Sequence, residues 1–288
     1  MTPEQSPGEL ILTLSCPDRR GIVARVAGFV AERDGNILDS HQFGDPDESV
    51  FFMRIHLATS GPADVDGWRD AFAPIADDLG MTWELHDAHR RPRVLLLVSR
   101  EGHCLNDLLY RWRTGGIAAD VVGVASPYDD FAALAGAYDL PYHRIPGPGT
   151  GAAELDAALL ELVERDQVEL VVLARFMQIL GSDACEALAG RAINIHHSFL
   201  PSFKGASPYR QAHERGVKLI GATAHYVTED LDEGPIIEQE VARVDHSHGV
   251  KELARVGRDV ECVALARAVR WHVERRVLLH GRRTVVFR

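Results

Sequence analysis

Between residues 93 and 196, short apolar runs alternate with segments of helical spacing, and that alternation limits what the chain can fold into. The runs at 93–98, 118–124, 141–144 and 168–173, and the one ending in Asn194-Ile195-His196, read as strands. The stretches 103–113, 129–137, 151–165 and 182–189 between them read as helices. Arg93 to Val98 is apolar almost without a break, the pattern of a strand covered on both faces of a parallel sheet. The alternation predicts an open, mostly parallel α/β sheet, in which ligands bind beyond the carboxyl ends of the strands. Two further strands near 217–227 and 235–243, a long helix from Val250 to Val273 and a small hairpin ending at Phe287 complete this part.

The first part of the chain has a different order. Leu10 to Ser15 alternates as a strand, Cys16-Pro17-Asp18-Arg19-Arg20-Gly21 is a polar turn, and Val23, Val26, Ala27 and Val30 recur at helical spacing in a helix over 22–34. Gly35-Asn36, small residues tolerant of left-handed backbone, are expected to stop that helix. Strands at 36–43 and 49–58 flank a Gly44-Asp45-Pro46-Asp47 turn; a helix over 65–79 and a strand over 81–86 follow. The order βαββαβ predicts a ferredoxin-like domain. The charged linker His89-Arg90-Arg91-Pro92 then separates two domains, 8–88 and 92–288.

At 288 residues the chain is long enough for two cores, and its 46% hydrophobic and 25% charged residues are those of a soluble globular protein. A net charge of −11 without a basic run is wrong for binding a phosphate backbone, so nucleic acid is not an expected partner. Cys16, Cys104, Cys185 and Cys262 have no paired spacing and fit isolated thiols in a reducing compartment. The polar N-terminal residues show no signal pattern, and no run is long enough to span a bilayer, so a cytoplasmic location is expected.

Chemistry concentrates at the end of the strand that finishes in Asn194-Ile195-His196. In an extended strand, residues two apart share a face, so the Asn194 amide and the His196 ring can address one ligand. His197 is expected on the opposite face, away from any shared metal site with His196. Downstream, Asp230-Leu231-Asp232-Glu233-Gly234-Pro235 supplies a carboxylate from a loop; alternation alone does not separate Asp230 from Asp232. Singly, Asn194 could cap a turn and His196 could be a satisfied strand-end histidine. Together, an amide donor, a protonatable ring and a carboxylate suit a tetrahedral intermediate at a carbonyl carbon. No metal or cofactor is called for.

Asn194-Ile195-His196, the Leu200-Pro201-Ser202-Phe203-Lys204-Gly205 loop and His225 seven residues before Asp232 resemble the formyltransferases that use N10-formyltetrahydrofolate, over roughly residues 92–288. His196-His197-Ser198-Phe199 and Gly205-Ala206-Ser207-Pro208-Tyr209 look most like the formyltetrahydrofolate deformylase branch, where water receives the formyl group and the products are formate and tetrahydrofolate. The resemblance implies a catalytic trio of Asn194, His196 and Asp232, selecting Asp232 because it directly precedes Glu233-Gly234-Pro235. It leaves Asp230 in solvent and gives His225 a supporting role. It implies that Arg175, Phe176, Met177, Gln178 and Ile179 line the folate site, mainly through the main chain. It also implies a part in balancing one-carbon pools and supplying formate for purine synthesis.

Residues 10–87, with Pro17-Asp18-Arg19-Arg20-Gly21, resemble an ACT domain. Such domains pair through their sheets and bind amino acids or other small effectors, implying a homo-oligomer, dimer or tetramer. An effector is expected at Asp18, Arg19, Arg20 and Gly21 with the Asn36 corner. Among related activities, a nucleotide amine acceptor calls for a glycine-rich phosphate cradle after the first strand of the second domain. Ser99-Arg100-Glu101-Gly102-His103 keeps one glycine and adds a carboxylate that repels phosphate. A tRNA acceptor calls for a further RNA-binding domain, for which the chain after Asp232 is too short and the charge wrong. Water remains as acceptor. The alternative of another class is a folate sensor without turnover, which would not need all three trio residues.

Overall fold

The computed structural model describes residues 8–200 and 208–288. The chain forms two compact units: one holds the residues up to Arg90 with 274–278 and 285–288, the other 91–273 with 279–284. The second domain, expected to run unbroken to 288, thus gives part of its C-terminal segment to the first unit.

In the first unit β1 (Glu9–Pro17), α1 (Ile22–Glu32), β2 (Asn36–Asp45), β3 (Val50–Ala58), α2 (Val65–Leu79) and β4 (Thr82–Asp87) follow in the expected order. The antiparallel sheet runs β2-β3-β1-β4, the ferredoxin-like arrangement. Its core joins Leu10, Leu12 and Leu14 to Val26, Phe29, Trp68 and Phe72. Phe29 meets Trp68 edge-on at 5.5 Å, and Phe72 meets Trp83 at 4.9 Å. The end of α1 differs from expectation. The left-handed residue is Asp34, φ 53°, and Gly35 is needed for space instead, since a Cβ there would lie 2.8 Å from the Trp68 ring. The β2–β3 turn also falls later, over 46–49, where the Asp45 carboxylate accepts the N–H groups of Asp47 and Glu48.

In the second unit β5 (Arg93–Leu97), α3 (His103–Arg113), β6 (Asp120–Ser126), α4 (Ala132–Ala137), β7 (Tyr142–Arg144), α5 (Ala152–Arg165), β8 (Leu170–Leu173), α6 (Ser182–Ala187) and β9 (Ala192–His196) alternate as predicted. After α7 (Pro208–Glu214) come β10 (Leu219–Tyr226), β11 (Ile236–Arg243), α8 (Val250–Val273), β12 (Val277–His280) and β13 (Arg283–Val286), of which the last two form the hairpin. The seven-stranded sheet has the order β11-β10-β9-β8-β5-β6-β7. Its five strands from β9 to β7 are parallel, and β10 and β11 add an antiparallel edge. Leu95, Leu97, Val171 and Leu173 pack against Leu155, Leu159 and Leu162 of α5.

The chain moves outward from β5 through β6 to β7, then returns to place β8 and β9 on the other side of β5. The order therefore reverses between β5 and β8, and the crevice at their carboxyl ends is where an open α/β sheet binds its ligand.

Candidate active site

A cavity of about 630 Å³ occupies that crevice. Its walls come from Glu101 after β5, residues 175–179 after β8, Asn194 to His197 at the end of β9, Asp232 between β10 and β11, and Glu261 on α8.

The strand register builds the first cluster. Asn194 lies opposite His225 and His196 opposite Thr223 across β9 and β10. The pairing of β10 with β11 shifts register between Ala224 and His225, and such a bulge re-aims a side chain at a strand end. The His225 Nδ1–H donates to the Tyr226 carbonyl (2.8 Å), which turns Nε2 toward Asn194 Nδ2 at 3.4 Å and Asp232 Oδ1 at 3.7 Å. His196 Nδ1 donates to the same Asp232 oxygen at 3.1 Å. Asp232 is held at φ 58°, and the turn closes because Gly234 has no Cβ, which would lie 1.8 Å from the Tyr226 carbonyl oxygen. Burial pushes the Asp232 carboxyl up, but the hydrogen bonds and charges of His196 and His225 outweigh it and hold the group well below the usual carboxylate range. Asp230 is exposed. His196 is buried, and its Nε2 finds no hydrogen-bond partner among the described residues.

The second cluster was not legible as a site in the sequence. Glu261, 1% exposed on α8, accepts from His103 Nε2 (2.7 Å) and from the Tyr209 hydroxyl (2.6 Å), with Arg175 Nε at 3.4 Å. Glu101 Oε2 accepts from Arg175 Nη2 and Nε, at 2.8 and 3.1 Å. Burial raises the Glu261 carboxyl, but its donors bring it below its ordinary value; burial and Glu261 together keep the Tyr209 proton in place. Gly257, one turn before Glu261, leaves the room for Tyr209, whose hydroxyl would lie 2.0 Å from a Cβ there. The available signal was a carboxylate within the buried stripe of α8, beside Val260, Ala264 and Leu265.

Arg175 to Ile179 all line the cavity. Phe176 turns into the core, while Met177 and Ile179 stay exposed and offer apolar wall. The main chain is partly engaged already, since Met177 N donates to Ser99 Oγ and Arg175 O accepts from Ser99 N. Gln178 reaches the Pro146 carbonyl.

His197 corrects the expectation of opposite faces. β9 ends at His196, so strand alternation does not extend to residue 197; the two rings stack at 5.0 Å with 24° between planes, and both line the cavity. Residues 198–200 are pinned through Thr223, whose hydroxyl donates to Ser198 O and accepts from Leu200 N. The rest of the Leu-Pro-Ser-Phe-Lys-Gly segment, 201–205, and Ala206-Ser207 lie outside the described residues.

The effector residues are not brought together. Asp18, Arg19, Arg20 and Gly21 form the exposed turn after β1, whose last residue Pro17 pairs with Val50. Asn36 pairs with Ala58, at the other end of β3, because α1 carries the chain back across the sheet before β2 begins. Among the described residues, no helix is long and apolar enough to cross a membrane.

Comparison with known proteins agrees with this architecture. The formyl transferase family model matches residues 92–269 and the ACT domain model residues 10–66. A formyltetrahydrofolate deformylase of Corynebacterium sp. is 48% identical over 96% of this chain and 98% of its own. One from Bacillus subtilis is 46% identical over 96% and 93%. The crystal structure of a formyltetrahydrofolate deformylase from Burkholderia mallei superposes with a TM-score of 0.93 at 51% identity, covering 98% of this chain and all (100%) of that one. Fold and site define a formyl transferase catalytic domain preceded by an ACT domain. The chain belongs to the formyltetrahydrofolate deformylase family.

Proposed function

We propose that the chain hydrolyses 10-formyltetrahydrofolate to formate and tetrahydrofolate, with water as the formyl acceptor. The observation that carries this is the convergence of Asn194, His196 and Asp232 on one cavity at the β5–β8 crevice. The formyl group is an amide-like carbonyl, and attack on its carbon puts negative charge on its oxygen. Asn194 Nδ2 and, when the ring carries its second proton, the unpartnered Nε2 of His196 are the two donors for that oxygen. Asp232, ionised, holds His196 through Nδ1 and gives its imidazolium a counter-charge. His225 supports both Asn194 and Asp232 from the bulge on β10. The exposed Met177 and Ile179 supply apolar wall for the flat pterin ring.

The reaction needs no metal or cofactor in this reading, because side-chain donors cover the developing charge. Among the described residues, the cluster of metal-ligating type at the site, His103, Cys104 and Glu261, already has its carboxylate held by His103 and the Arg175 cation. A chelator is expected to leave turnover unchanged. The reading extends to a cytoplasmic enzyme that feeds formate to purine synthesis, pairs through its ACT sheet as a dimer or tetramer, and takes an amino-acid effector at the turn 18–21.

The test is formate release from purified protein given 10-formyltetrahydrofolate and no amine, beside Asp232→Asn. Release that the variant loses supports a hydrolase. Tight folate binding without release would replace it with a sensor.

A further inference from the structure

A hydrolase of this kind has to position a nucleophile that brings almost no binding energy of its own. Asp232 is badly placed to activate it. Its Oδ1 lies 3.1 Å from His196 Nδ1 and 3.7 Å from His225 Nε2, so that oxygen is engaged in holding the two rings.

Two unused groups lie in the same cavity. The first is Arg175. Its backbone sits at φ 64°, a left-handed conformation unusual for a residue with a Cβ, and its side chain is only 10% exposed. Glu101 and Glu261 take Nε and Nη2, while Nη1 is buried and finds no partner among the described residues. A buried guanidinium N–H without a partner in a ligand cavity is a donor waiting for an oxygen. The second is His197, which stacks on His196 at 5.0 Å and faces Tyr209 at 6.4 Å. Anion binding at Nη1 is disfavoured by the two carboxylates that already flank Arg175, so the oxygen that fits is that of neutral water.

We propose that His197 is the base that takes the proton of the hydrolytic water, and that Arg175 Nη1 donates to that water's oxygen to hold it in place. This rests on the deformylase reading and adds the residues that serve the acceptor. As the water O–H bond breaks, its proton passes to the His197 ring and the oxygen forms a bond to the formyl carbon. The carbonyl pair moves onto the formyl oxygen, toward Asn194 and His196. When that pair returns, the carbon–nitrogen bond breaks and the leaving nitrogen takes the proton from His197. The formic acid released ionises to formate, and the ring is neutral again. Burial first, then the charges of Arg175 and His196, bring His197 down to about 4 against the opposing pull of Glu261 and Asp232, so at neutral pH the ring has a lone pair to offer.

The test compares His197→Ala and His197→Gln with the unaltered chain in formate release, tetrahydrofolate affinity and rescue. In both variants kcat is expected to fall about 100-fold or more while tetrahydrofolate affinity stays within about twofold. Imidazole added to His197→Ala should restore part of the rate. Hydroxylamine, a nucleophile that needs no base, should be formylated by that variant to formohydroxamate at a rate close to the unaltered chain's. His197→Gln keeps the volume and a hydrogen bond to water, so it carries the same reading should the alanine variant fail to fold. Retained kcat in a folded variant, or a parallel loss of kcat and folate affinity without rescue, overturns the assignment while leaving the deformylase reading intact. Absence of formate release from the unaltered chain overturns both.

Discussion

Two places in the catalytic unit bury polar groups, and they treat them differently. On α5, the Asp156 carboxylate is 2% exposed, and it accepts the N–H groups of Gly181 and Ala184 at the start of α6, at 2.9 and 3.2 Å. Charge, helix terminus and orphan backbone donors cancel there, as in a helix cap. At the carboxyl ends of β8 and β9, Arg175 Nη1 and His196 Nε2 are equally buried and have no partner among the described residues. A closed group of this sort contributes to stability, whereas an open one has a cost that only a ligand removes. Burial of charge by itself therefore does not mark the site; within the cavity, the two unfinished hydrogen bonds do.

The sharpest break of this contrast is Asp232→Asn. Formate release should fall about 1000-fold, because His196 loses its counter-charge and its fixed orientation, while the melting temperature changes little. Asn194→Ala removes one donor and should lower kcat about 100-fold with tetrahydrofolate affinity kept, measured by steady-state kinetics and a binding titration. Asp156→Ala should behave in reverse. Two backbone N–H groups are left without an acceptor, so urea unfolding should show a loss of roughly 2–4 kcal/mol, with kcat unaltered in the folded fraction.

The smallest effect is in pH. His197 is held below its ordinary value of 6.5, at about 4, so the unfolded chain takes up its proton first as pH falls. Its contribution to stability is complete above about 6.5 and is lost as pH drops toward about 4. Urea midpoints for the unaltered chain should decline across that window, and His197→Gln should decline less. Equal slopes would mean that the ring is not held neutral.

Periodicity revealed the sheet and the βαββαβ unit, because both are written in local apolar spacing. Asn194 and His196 were legible for the same reason, being two residues apart on one strand. The antiparallel edge mattered as much and was not legible in detail, since the bulge that aims His225 depends on β11 pairing. His197 was misread because strand alternation was carried one residue past the end of β9. Arg175 and Glu261 meet only through tertiary packing, with a whole run of strands between them in the chain. Asn36 lies at the other end of β3 from residues 18–21 because adjacency to a turn in sequence is not adjacency in space, across a helix that spans the sheet.

The division of the C-terminal segment bears on how this protein is made. Arg54 of β3 is 3% exposed and donates to the Glu274 carbonyl at 3.0 and 3.3 Å, and Phe287 stacks on His41 of β2 at 5.6 Å. The unit synthesised first thus lacks acceptors and an aromatic neighbour until the ribosome has made residues some 220 positions later. Domains emerging from the ribosome generally fold in order, N-terminal first. Here the sheet of the ACT unit keeps the Arg54–Asp39 pair but gains the Glu274 carbonyl and Phe287 only once the catalytic unit is complete, so that a nascent chain stalled inside α8 would carry a sheet still missing its last partners.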